Sequence, residues 1–338
     1  MKLPEARGPI SGTLFPVLLR RPRGLPERIW GLAAEPEAAA HTDEDLQITL
    51  FACYALHYQG FDDVHDFWEW HPPLLAVRAT LEERFERSLR VLASYSADII
   101  PKELPRYLLQ LGAPAGGPSL ADHMMQRATL DHFREFAINR SLYNVMEADP
   151  HSWGLPRFTG RAKCALVEIQ ADEYGNGIPG RMHSELFQQM MTELDLDSSY
   201  GGYIERISAT SIAPLNALSM FGLHRRLRGA LLGNLAISEI GSSFGNRCFS
   251  KGLQRLGANA AARLFYDEHV EADAVHEQIA AHNLCGAFAS QFPDEAPVVL
   301  FGATVTKQLK HLSNVLMTSS WDKGLSSLCP TRASASRR

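Results

Sequence analysis

No two of the chain's five cysteines, Cys53, Cys164, Cys248, Cys285 and Cys329, stand in C-x-x-C spacing. That excludes zinc-ribbon and iron–sulfur sites and leaves reduced thiols, several of them buried small hydrophobes of an intracellular protein. Cationic charge is not in excess either: 33 Lys and Arg face 38 Asp and Glu, a net charge of −5, so no broad basic surface for nucleic acid or an anionic membrane is expected. The longest apolar runs, such as residues 229–237, fall far short of the roughly 20 residues a membrane span needs. The start, Met1-Lys-Leu-Pro-Glu-Ala-Arg7, lacks a signal-peptide apolar region, and a cytoplasmic location is the expectation. Alternating strand patterns and internal repeats are missing as well.

Helical periodicity remains. Residues 1–40, rich in Pro, Gly and Arg, read as an irregular arm. Thr42 is the expected N-cap of a helix through Leu46, Leu50 and Tyr54, with Asp45 at its third position. Pro72-Pro73 starts another, and a further one runs over 101–111. A Gly/Pro-rich link at 112–118 precedes a helical pattern over 120–146. Further helices are expected over 158–174, from His183 through Met191, around 211–227 and 232–238, over 260–281 and near 296–317. The tail 319–338 reads as disordered.

The chemistry sits on three of these helices. On an α-helix, positions i, i+4 and i+7 fall within about 60°, so His269, Asp273 and His276 form one stripe. A buried stripe of that kind needs a metal or a dense hydrogen-bond network; a solvated helix face meets the same pattern. Glu147 stands at a helix end before Ala-Asp-Pro150, where the last turn already carries partial negative charge, so a cation there would compensate it; an exposed Glu in a frayed last turn meets the same pattern. Glu173 and His183 are ten residues apart, about 15 Å on a straight helix, whereas paired metals lie about 3.5–4 Å apart. They can share a centre only if the chain breaks between them, and Gly175-Asn-Gly-Ile-Pro-Gly180 supplies a break.

The stretch EADPHSW…VEIQADEYGNG…RMHSELF, followed by FYDEHVEADAVHEQIA, resembles the haem-oxygenase-like diiron oxidases and oxygenases, the iron-containing redox enzymes, and within them the N-oxygenase branch. The resemblance covers roughly residues 122–284. It implies an all-α fold, a haem-oxygenase-like helical bundle over 118–318 with an N-terminal arm and helical extension over 1–117. The implied metal ligands are Glu147, Glu173, His183, His269, Asp273 and His276, a hard-to-intermediate N/O set suited to iron or manganese. The implied cofactors are two iron ions (Fe2+), with O2 as co-substrate. Asp172 and Glu185 are candidates for orienting ligand rings, and Arg157 and Tyr174 for touching substrate; each is also explained by solvation, capping or packing.

The resemblance favours N-oxygenation of an amine, guanidine or amino-heterocycle in specialised biosynthesis. It also implies an external electron donor and allows a homodimer. Oxidative C–C cleavage, desaturation or decarboxylation of an amino or fatty acid is the alternative on the same metal chemistry. A metal-free helical protein that binds a small ligand or a partner chain is the alternative of another class.

Overall fold

The computed structural model describes residues 1–35, 39–95, 98–113 and 119–330, with the side chains of Asp273 and Ala274 outside that description. Among the described residues the chain is helical throughout, without a strand. No helix is long and apolar enough to cross a membrane, and all five cysteines are unpaired.

The N-terminal part is more ordered than its composition suggests. It forms α1 (Pro9–Leu18), α2 (Arg28–Ala34), α3 (Glu44–Ala55), α4 (Pro72–Leu92) and α5 (Leu104–Gly112), so residues 1–40 are not an irregular arm. The reason lies outside the segment. Asp45, on α3, accepts from the backbone N–H of Ile10 at 2.6 Å and of Ser11 at 2.8 Å, capping α1 from a distance. Asp45 is thereby withdrawn from capping its own helix. Asp43, rather than Thr42, is the N-cap, accepting from Asp45 N at 2.9 Å and Leu46 N at 3.1 Å. Leu14, Leu18, Leu50 and Phe85 join one apolar core with Leu218, Phe301 and Leu309 from later in the chain. Residues 114–118, where the expected domain boundary falls, lie outside the described residues.

The pattern over 120–146 resolves into two helices, α6 (Leu120–Gln126) and α7 (Leu130–Asn144), separated where Thr129 caps α7 through His132 N at 3.2 Å. A short α8 (Asp149–Ser152) leads to α9 (Gly160–Glu173), α10 (His183–Glu193), α11 (Ala209–Leu223) and α12 (Arg228–Glu239). Next comes α13 (Ser242–Arg255), which its pattern does not announce, and α14 (Ala260–Gln278), which runs without interruption into a π-helical stretch (Ile279–Gly286) and α15 (Ala287–Gln291). The last helix, α16, spans Ala296–Asp322. The tail is ordered well past 319: Ser327 donates to Glu135 Oε2 through both its backbone N–H (2.8 Å) and its hydroxyl (2.7 Å), and Cys329 N donates to Arg206 O at 2.9 Å.

Helices α12 and α16 cross in near backbone contact. A Cβ on Gly233 would stand 1.9 Å from Val299 O, and one on Gly302 would stand 2.1 Å from Ala230 O. Both positions oppose main-chain atoms, which cannot swing aside. Gly233→Ala is therefore expected to cost about 3 kcal/mol, the upper part of the usual overpacking range. Urea unfolding that matches wild type would contradict this. Because α12 ends at Glu239, the crossing also sets where that carboxylate lies.

Candidate metal centre

The break between Glu173 and His183 is built as their separation requires. Glu173 is the last residue of α9, and Gly175, Asn176 and Gly177 follow with φ of +61°, +54° and +74°. Three successive left-handed residues turn the chain back on itself, which glycine permits at little cost. At Gly175 a Cβ would stand 2.5 Å from the Arg181 carbonyl carbon, so the loop closes only around a glycine. His183 then opens α10, and its Nδ1 lies 3.0 Å from Glu173 Oε2.

Two groups of ligand atoms result. Glu147, Glu173, His183 and His269 bring one ligand atom each within 4.8 Å of one another, and Glu173, Glu239 and His276 do the same. Glu173 belongs to both. The rings are held from behind. His269 donates Nδ1–H to Phe265 O at 2.7 Å, leaving Nε2 toward Glu147 Oε2 at 3.9 Å. His276 Nε2 pairs with Asp172 Oδ2 at 2.9 Å, so that Nδ1 faces Glu239 Oε2 at 3.3 Å. Asn144 donates to Glu147 Oε1 at 2.9 Å and leaves Oε2 toward the group.

The inward atoms are close yet not hydrogen-bonded. Glu147 Oε2, Glu173 Oε2, His183 Nδ1 and His276 Nδ1 are all buried with no hydrogen-bond partner, although two of the pairs approach to 3.0 and 3.3 Å. Orphaned buried acceptors are costly, and a cation among them removes the cost, so the donor set fits iron.

The electrostatics agree. Burial raises the Glu173 carboxyl, and the like charges of Glu147 and Glu239 raise it further. Burial acts against the charged form of His276, but the carboxylates of Glu239, Asp172 and Glu173 outweigh it and push the imidazole up to about 9. Burial likewise raises Glu239, and His276 and His269 more than reverse that. A proton on His276 thus stands where a cation is wanted. Asp172, lowered overall by its bonds from His276 and Asn176 against burial, orients the ring. Asp172→Ala is expected to weaken iron binding about 10–100-fold and leave the fold intact; unchanged iron affinity would contradict the orienting role.

The other sequence candidates are placed differently. Asp273 is a side chain outside the described residues. Glu185 does not reach a ligand ring; it accepts from Met182 N at 3.1 Å and caps α10. Arg157 donates to Leu223 O at 2.8 Å, capping the end of α11. Tyr174 donates to Asp149 Oδ1 at 2.8 Å and meets Ser152 Oγ at 3.0 Å; neither Arg157 nor Tyr174 lines the cavity beside the ligand groups. Sequence reasoning missed Glu239, although it carries the signal used for Glu147: a carboxylate on the last residue of a helix, against the partial negative charge of that end.

A cavity of about 360 Å³ opens beside Glu147, Glu173, Glu239 and His269, and is lined further by Phe136, Tyr143, Phe187, Tyr266 and Arg140. No curated protein matches the chain. The sequence profile of the iron-containing redox enzymes matches residues 134–311, a span that takes in both ligand groups. On that match, over more than half of its length, the chain belongs to the iron-containing redox enzyme family and is an oxidoreductase of haem-oxygenase-like, all-α fold.

Proposed function

We propose that the protein is a non-haem diiron, O2-dependent oxygenase that oxidises the nitrogen of a small metabolite. The observation that carries this reading is the sharing of Glu173 between two ligand groups, the arrangement a carboxylate needs to bridge metals about 3.5–4 Å apart. Glu147, His183 and His269 would hold one ion. Glu239 and His276, with Asp273 as the resemblance implies, would hold the other. Iron bound there supplies the electrons and the Lewis acidity for activating O2.

The chain's own residues do the rest. Asp172 and Phe265 O keep the two imidazoles of α14 aimed inward. Phe136, Phe187 and Phe265 line the cavity with apolar surface, which strengthens electrostatic interactions inside it. Choice of nitrogen over carbon oxidation is the part taken from the N-oxygenase resemblance.

Anaerobic titration with Fe(II) tests the reading. About two equivalents should bind per chain, and O2 uptake should then depend on an added nitrogenous substrate, with an oxygenated nitrogen product by mass spectrometry. A single equivalent, or O2 uptake that yields only carbon-oxidised products, would overturn it.

A further inference from the structure

Arg140 lies on α7 and lines the cavity beside the ligand groups, and it also lines a wider neighbouring cavity of about 790 Å³. It therefore stands at the junction of the two. Among the described residues it forms no ion pair, and its recorded contact is with the Phe136 ring, 5.5 Å from the guanidinium carbon. Burial lowers its pKa from the usual arginine value, against the raising influence of Tyr143, Tyr266 and Glu147. A second group points the same way. Tyr266 is 2% exposed, lines the same cavity and has a buried hydroxyl with no partner. Lys310, which donates to Ser238 Oγ at 3.2 Å, adds another cation to the lining.

A partly buried guanidinium that faces a cavity without an ion pair keeps its donors for a ligand, and the buried hydroxyl of Tyr266, left without a partner, is costly. Sites that break the rules of a stable core are where function is expected. The planar fork of arginine matches a carboxylate in two-point contact, and a phenol supplies a third donor. We propose that the substrate carries a carboxylate, held by Arg140 and Tyr266, while its oxidisable nitrogen faces Glu147, Glu173 and His269. This rests on the cavity being the substrate site of the oxygenase proposed above.

The test is binding rather than turnover. Iron-loaded protein under nitrogen is titrated calorimetrically with hexanoate, its primary amide and hexylamine. Hexanoate should bind, and the two uncharged or cationic analogues should bind at least about 10-fold more weakly, as expected when a charged hydrogen bond is lost. Arg140→Gln should weaken hexanoate about 10-fold or more, the loss expected when a charged hydrogen bond is removed, and Arg140→Lys should recover part of it. Arg140→Met should abolish hexanoate binding and leave the melting temperature of ligand-free protein unchanged, whereas loss of a structural arginine would lower it.

Equal binding of all three probes, hexanoate binding that survives Arg140→Gln, or no hexanoate binding in wild type would each overturn the proposal. Failure of the oxygenase reading looks different: hexanoate bound through Arg140, with no O2 uptake on any nitrogenous acid. Oxidation of neutral amines undiminished in Arg140→Gln would instead sink the carboxylate site and leave the oxygenase standing.

Discussion

Glu173→Gln is expected to remove both metal positions at once. The substitution keeps the volume of the side chain and deletes one charge from the residue that both ligand groups share. Iron content should fall from about two per chain to less than one. Iron-dependent O2 uptake should drop by more than about 100-fold, the upper end of what losing an outer partner of a ligand costs. Metal-free Glu173→Gln should melt no lower than wild type, because the carboxylate it replaces is buried against Glu147 and Glu239, and removing a like charge relieves repulsion. Glu271→Ala, an exposed position on the same helix as His269 and His276, serves as the control and should bind iron as wild type does. A variant that lacks only one of two iron equivalents would show that Glu173 does not bridge.

Acid should destabilise the protein in part through one fully buried histidine, His151. His151 is 2% exposed, and its Nε2 lies 3.1 Å from Asn234 Oδ1. Asn234 in turn donates to Thr306 Oγ1 at 2.8 Å, and Thr306 donates to Gly302 O at 2.8 Å. That chain of donors leaves Asn234 Oδ1 as an acceptor, so His151 carries its proton on Nε2. Burial lowers its pKa to about 4 from the ordinary 6.5, with the bond to Asn234 only partly opposing the shift. Between those two values the unfolded chain binds a proton that the folded chain refuses. The contribution of His151 is therefore full above pH 6.5, falls as pH drops through the window, and levels off below about 4. The total is about 3 kcal/mol at 1.36 kcal/mol per pH unit. His151→Gln keeps an N–H for Asn234 and cannot titrate. Urea unfolding at pH 7 and pH 4, both proteins in the same metal state, should show wild type losing about 3 kcal/mol more than the variant. Parallel losses would mean that His151 is not the acid-sensitive group.

The helices that form where the pattern says they form are those whose signal is local. Pro72 opens α4, and Pro101 opens the turn into α5, because proline fixes φ and has no N–H to leave unpaired. The elements missed are those whose support comes from elsewhere. The N-terminus of α1 is satisfied by Asp45, remote in the chain, while its own composition argues for an arm. Within α13, Gly245 and Gly252 and a run of serines lower helix propensity. Gly252 is nonetheless required, since a Cβ there would stand 2.4 Å from Met124 O on α6. The ordered end of the tail depends on Glu135, nearly two hundred residues earlier.

The same division runs through the site. Sequence by itself determined that His269 and His276 share a helical stripe, that Glu147 stands by a helix end of partial negative charge, and that the glycines after Glu173 permit a reversal. Each of these is a statement about neighbours within a few residues, where helical phase and backbone freedom decide the geometry. Only the tertiary structure decided that Glu239 joins Glu173 and His276, that Arg157 caps a helix while Arg140 faces the cavity, and that Glu185 caps α10 while Asp172 orients a ring. Those assignments depend on how α7, α9, α12 and α14 pack, and side chains of the same chemistry are separated there only by which of them the crossing helices turn inward.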